Sequence, residues 1–150
     1  MSEITFGPIK DIGLPMSDKV ILVIEDDSSI RSAINTLLSR KGYTVVEASH
    51  GREGLSILQD FGVDLVITDI FMPNMDGLEV IRSIRKTNKE LKVIAISGGG
   101  QMHLTESLNW AKAFGADKTL MKPIKHTELL ETVLELTSPL SAKIPPSESG

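Results

Sequence analysis

The sequence has no cysteine, one tryptophan, one tyrosine and four phenylalanines. Without thiols it forms no disulfide, no thiolate metal centre and no cysteine nucleophile, which fits a reducing compartment. Long apolar stretches are also missing: the longest, Val20 to Ile24, falls far short of the about 20 residues that a membrane-spanning helix needs. Positive charge is in the minority, 16 Lys and Arg against 20 Asp and Glu. The resulting net charge of −4 argues against nucleic acid or an anionic membrane as the main partner. The first 17 residues have neither the basic start nor the apolar run of a secretory signal. A cytoplasmic protein is expected.

What is present is the composition of one globular domain. With 150 residues, 41% of them hydrophobic, the chain is long enough to bury a core without covalent staples. Residues 1–17 carry Gly7, Pro8, Gly13 and Pro15 without a helical or strand period and read as an irregular arm. Residues 139–150, with Pro139, Pro145 and Pro146, read as a disordered tail. The folded body is therefore expected over 18–138.

Inside it, β-branched runs at Val20–Ile24, Thr44–Ala48, Asp64–Thr68, Val93–Ser97 and Lys118–Met121 alternate with helical stretches. The first, third and fourth are nearly continuous apolar runs, the mark of strands buried on both faces. Between the strands, apolar residues recur at helical spacing: Ile30, Ile34, Leu37 and Leu38; Ile81 and Ile84; Leu104, Leu108 and Ala111; Leu129, Leu130, Val133 and Leu134. This alternation predicts an α/β fold, a five-stranded parallel sheet with helices on both sides. The expected strand order is the flavodoxin-like 2-1-3-4-5, which puts chemistry beyond the carboxyl ends of the strands.

That edge is polar. The first strand ends in Glu25-Asp26-Asp27, the third in Thr68-Asp69, the fourth in Ser97 before Gly98-Gly99-Gly100, and the fifth in Met121-Lys122-Pro123. Asp26, Asp27 and Asp69 would crowd one mouth of the sheet, where each raises the others' pKa unless a cation intervenes. A helix N-cap, at Asp27 or Ser28, accounts for one acid but not for three. A hard divalent cation suits this oxygen-only set, and Mg2+ suits few carboxylates completed by water and phosphate. Residues Asp69 to Glu79 lack the acidic alternation of an EF-hand, and His50, His103 and His126 read as solvated positions rather than ligands.

Taken in order, Glu25-Asp26-Asp27, the stretch from Thr68 to Gly77, Ser97 and Lys122-Pro123 resemble the receiver domain of two-component response regulators, over 18–138. The resemblance implies that Asp69 accepts a phosphoryl group from a phosphohistidine as a carboxylate nucleophile. It implies Mg2+, with Mn2+ able to substitute, held by Asp27 directly, Asp26 through water, Asp69 and the backbone carbonyl of Phe71. Lys122 and Ser97 would bind the phosphoryl group, with a cis bond before Pro123 fixing the lysine. Pro73 and Gly77 would shape the loop that positions Asp69. The implied partners are a sensor histidine kinase or histidine phosphotransfer protein and a downstream protein target, without nucleic acid or membrane.

Two positions depart from the family's pattern. Thr119 stands where an aromatic ring usually reports the switch, and Gly98 stands where alanine is frequent, which predicts a softer loop and faster solvent access. Trp110 lies off the Leu104, Leu108 and Ala111 face, either packed flat on a neighbouring helix or exposed as a docking anchor, a role for which receivers often use the face of the fourth helix, fifth strand and fifth helix.

The leading reading is a stand-alone switch. A relay intermediate and the first segment of a longer regulator are the alternatives. A Mg2+-dependent phosphatase with an aspartate nucleophile would want a second acid at the Phe71 position, and a flavin module would want a neutral phosphate loop where Asp26-Asp27 stand.

Overall fold

Val20 to Ile24 is buried along almost its whole length, as a run of branched aliphatic residues must be to repay the cost of ordering them. In the computed structural model, which describes residues 18–72, 77–98 and 104–138, it forms the first of five strands. The expectations for 1–17, Pro73, Gly99-Gly100, His103, the side chains of Leu104 and Leu108, and 139–150 lie outside the described residues. The elements in chain order are β1 (Val20–Ile24), α1 (Ser28–Arg40), β2 (Thr44–Ala48), α2 (Gly51–Asp60), β3 (Leu65–Asp69), α3 (Gly77–Thr87), β4 (Lys92–Ser97), α4 (Leu104–Phe114), β5 (Lys118–Met121) and α5 (His126–Thr137).

The strands pair in parallel in the order β2-β1-β3-β4-β5, the order the sequence predicts. Strand period divides the core in two. Leu22, Ile24, Val66, Val93 and Ala95 meet Val80, Ile81, Ile84 and Ala111 from α3 and α4 on one face. Ile21, Val23, Leu65, Ile67, Ile94 and Ile96 meet Ile34 and Leu38 of α1 and Leu129 and Val133 of α5 on the other. Each such buried Val, Leu or Ile side chain contributes about 1.5–3 kcal/mol of transfer free energy.

Three details differ from the sequence reading. β3 runs one residue later than expected, because the Asp64 carboxylate accepts from the Val20 N–H at 2.8 Å and Asp69 still pairs with Ile96 in the ladder. Leu134 is 60% exposed, because Leu129, Val133 and Thr137, one helical turn apart, are the residues α5 buries. His50 is neither ligand nor idle: its Nδ1 caps α2 by accepting from the Glu53 N–H at 3.2 Å, while Glu53 Oε1 accepts from the Ser49 N–H at 2.8 Å.

Two polar contacts join elements distant in sequence. Arg85 donates to the carbonyls of Gly115 (3.0 Å) and Leu91 (2.7 Å) and to Asp117 Oδ2 (3.0 Å), which ties α3 to the loops on either side of β4 and α4. Tyr43, after α1, shares a buried hydrogen bond of 3.0 Å with Thr137 Oγ1 at the end of α5. Thr137 also donates to the Val133 carbonyl at 2.8 Å, so it keeps a partner if the phenol is removed. Tyr43→Phe should therefore cost only about 1 kcal/mol, read as a lower urea midpoint with an unchanged m-value.

Candidate functional site

The parallel strands end at one edge, and three of them deliver charge there. Glu25 follows β1, Asp69 closes β3 and Lys122 follows β5, each on the strand parity that faces α1 and α5. Glu25 and Asp69 are 1% and 3% exposed, so both carboxyls sit in a poorly solvated pocket. The Lys122 ammonium lies between them, 3.0 Å from Asp69 Oδ2 and 3.2 Å from Glu25 Oε1. Only the Asp69 contact has hydrogen-bond alignment; Glu25 Oε1 is buried with an ion-pair neighbour but no donor aimed at it. Its other oxygen accepts from the Asp27 N–H at 3.0 Å.

Burial pushes the Glu25 carboxyl up to about 7; the Asp27 N–H and the Lys122 ammonium oppose that rise, and the Asp69 charge adds to it. Burial alone would lower the pKa of Lys122, but the hydrogen bond and charge of Asp69, joined by Glu25, outweigh it and raise it. The lysine stays charged throughout the neutral range.

A third carboxylate joins this pair, and it is not Asp27. Oxygens of Glu25, Asp26 and Asp69 lie within 4.8 Å of one another. Asp27 instead adopts φ −80°, ψ 113° and caps α1, its Oδ1 accepting from the N–H groups of Ser29 (2.9 Å) and Ile30 (3.1 Å). That commitment to the helix end corrects the expectation that Asp27 is a direct metal ligand. The acids gathered with Asp69 are the first two of the three, and Glu25 is the one that the sequence reading passed over. The signal was available: Glu25 shares the parity of Ile21 and Val23, and the residue before a helix is the preferred cap.

The donor set fits a hard divalent cation. All of its atoms are carboxylate oxygens, one of them buried without a hydrogen bond, and three carboxylates against one ammonium leave an excess of negative charge. Backbone surrounds the cluster closely. The Phe71 N–H points back to Asp69 Oδ1 at 3.4 Å, and the Gly77 N–H donates to the Ile70 carbonyl at 2.7 Å.

The family model described as "Response regulator receiver domain" matches residues 21–134. The chain belongs to the response regulator receiver domain family. Among its relatives, the sensor kinase CckA of Brucella abortus is 36% identical over 118 residues, covering 77% of this chain but 12% of that kinase. The response regulator MprA of Mycolicibacterium vanbaalenii is 36% identical over 122 residues, 79% of this chain and 52% of that regulator. The chain thus spans about half or less of the curated relatives it matches. The structure of response regulator TrrA from Thermotoga maritima in complex with Mg(2+)-BeF matches with a TM-score of 0.68 and 36% identity, over 79% of this chain and 98% of that one.

In this receiver domain, Ser97 is fully buried at the end of β4 beside Met121, and its carbonyl accepts from the Lys122 N–H at 2.8 Å. The Lys122-Pro123 bond is cis, as the resemblance implied. Thr119 pairs with Ala95 and is half-buried. A side chain on Gly98 would meet Lys122, its Cβ falling 2.2 Å from the lysine Cβ, so the lysine stem fills the room that an alanine would take. Trp110 is 51% exposed rather than packed flat on a neighbouring helix. No described helix is long and apolar enough to cross a membrane.

Gly77 is required by close approach rather than by an unusual dihedral. A Cβ there would lie 2.0 Å from the Asp69 carbonyl oxygen, and the described positive-φ glycines are Gly42 and Gly115. Gly77→Ala should cost about 1–3 kcal/mol in chemical denaturation, or more if the backbone around Asp69 cannot yield. The division of labour among the acids has its own test in titration calorimetry with Mg2+. Asp26→Asn should lose metal binding, whereas Asp27→Ala should keep it while losing about 1 kcal/mol of stability with its cap.

Proposed function

We propose that this receiver domain is a phosphorylation-driven switch in a two-component phosphorelay, with Asp69 as its phosphoacceptor. The arrangement that carries the reading is the buried Asp69 carboxylate held beside both an ammonium and an oxygen-only cation site. An oxygen of Asp69 attacks the phosphorus of a phosphohistidine, the P–O bond forms as the P–N bond breaks, and the imidazole leaves with the bonding pair and takes up a proton.

Glu25, Asp26 and Asp69 would hold a divalent ion, Mg2+ by preference and Mn2+ as a substitute, with the Phe71 carbonyl as a further ligand. Such an ion neutralises the charge on the phosphoryl oxygens. Conversion of the carboxylate to an acyl phosphate removes the negative charge that pairs Asp69 with Lys122, so the ammonium then follows the phosphoryl oxygens. Ser97 supplies its hydroxyl to the same group. With Thr119 in place of an aromatic residue, the switch is transmitted without a ring turning inward.

Turnover of outside phosphate esters is not part of the reading. The Phe71 side chain packs on the α2–α4 side of the core, where a phosphatase of this chemistry would present an acid. Donor docking is assigned to the apolar groove of about 290 Å³ beside Lys122, lined by Ile30, Ala33 and Leu37 of α1 and by Pro123 and Ile124. It suits a helical partner, a sensor kinase or phosphotransfer protein, that brings its histidine up to Asp69. The same reading places the protein in the cytoplasm, in keeping with a sequence free of cysteine.

Intact mass spectrometry after incubation with Mg2+ and acetyl phosphate should show one added phosphoryl group, lost in Asp69→Asn and with chelator. Absence of that mass in the parent protein would overturn the assignment. Ala33→Glu should leave acetyl phosphate labelling unchanged and slow transfer from a phosphorylated histidine phosphotransfer protein by about tenfold or more.

A further inference from the structure

The groove between α3 and α4 lies outside everything described above, and its charge runs against that of the molecule. It has a volume of about 490 Å³ and is lined, among the described residues, by Arg82, Arg85, Lys86, Lys89, Ala113 and Phe114, four cations and no acid, on a chain of net charge −4. Arg85 is consumed by structure, through Gly115, Leu91 and Asp117. Arg82 has only a loose exposed contact of 3.8 Å with Glu79, and Lys86 and Lys89 have no acid at ion-pair distance among the described residues.

Favourable placement at the carboxyl end of α3 accounts for Lys86, which lies in its last turn. It does not account for the row. Arg82 and Lys86 lie at i, i+4 on α3, and Lys89, two residues past the helix end at Thr87, lines the same groove, so like charges that repel are gathered on one surface. The opposite wall, Ala113 and Phe114, is apolar; Phe114 is 38% exposed, and Trp110, one turn earlier on α4 and beside the groove, is 51% exposed. Ala113 and Phe114 line the groove together with α3, and Trp110 lies one turn from Phe114.

We infer that the α3–α4 groove docks an acidic segment of a partner protein, in which carboxylates meet Arg82, Lys86 and Lys89 and one apolar side chain sits against Phe114 and Trp110. Arg82 to Lys86 spans roughly 6 Å at 1.5 Å per residue, with Lys89 just past the helix end, a footprint that a few extended residues can cover. A polynucleotide is the poorer match, since a row this short neutralises few phosphates while the net-negative domain repels the rest. The inference does not depend on phosphorylation of Asp69.

Trp110 is the sole tryptophan of the chain and lies one turn from Phe114, so its emission reports on the flank of α4 beside this groove. The full chain is titrated with a short synthetic peptide of glutamate and leucine, with its lysine and leucine counterpart, with oligothymidylate and with phosphatidylglycerol vesicles. The acidic peptide should shift the emission to saturation, weaken with salt and bind about tenfold less tightly to the R82E/K86E/K89E variant. The Lys86→Glu, Lys89→Glu double variant serves as a second probe, and Asp69 labelling by acetyl phosphate checks that both variants are folded. No shift with the acidic peptide, an equal shift in the charge-reversed proteins, or tighter binding of oligothymidylate or vesicles through the same residues would each overturn the proposal.

Discussion

The placement of one ammonium between two buried carboxylates governs this molecule. Lys122 leaves β5, Glu25 leaves β1 and Asp69 closes β3, so the triad exists only when three strands end at the same level. Two carboxylates in so dry a place would repel each other and protonate. The lysine sets one positive charge 3.0 Å from Asp69 and 3.2 Å from Glu25, which offsets that repulsion. With Asp26 at the rim, a surplus of negative charge remains, and that surplus makes the pocket receptive to a divalent ion.

The fold serves that placement. Parallel pairing brings all carboxyl ends to one edge, and the order β2-β1-β3-β4-β5 sets β1 and β3 side by side there. Alternation along each strand sends one set of side chains toward α1 and α5 and the other toward α2, α3 and α4. Glu25, Asp69 and Lys122 extend the first set beyond the strand ends, where the apolar layer stops. The charged cluster is thus continuous with the core beneath it, and burial of Ile67 and Leu120 fixes Asp69 and Lys122 from below.

Most of this is legible in the residues themselves. Apolar runs too short for helices and bounded by acids or lysine mark the strand ends, so Asp69 and Lys122 stand out before any coordinates. The acids after β1 do not resolve as easily. Three consecutive carboxylates differ only in what each does next, and one position separates an inward-facing residue from a helix cap. Asp27 caps because α1 starts at Ser28, a boundary that hydrophobic period does not define to a single residue. Leu134 misleads for a related reason: its spacing suits a buried stripe, but the side of α5 that meets the sheet is set by Leu129 and Val133.

Arg31 adds a mechanical aspect to the site. Its guanidinium donates to the Glu25 carbonyl at 2.7 Å and to Glu47 at 2.9 Å, so one side chain of α1 grips both the edge strand β2 and the turn that carries the acids. The start of the helix is therefore rigged to the acidic end of the sheet like a stay to a mast. A force that tilts the helix reaches the acids through the bond to the Glu25 carbonyl and the edge strand through the bond to Glu47, rather than through a deformable loop.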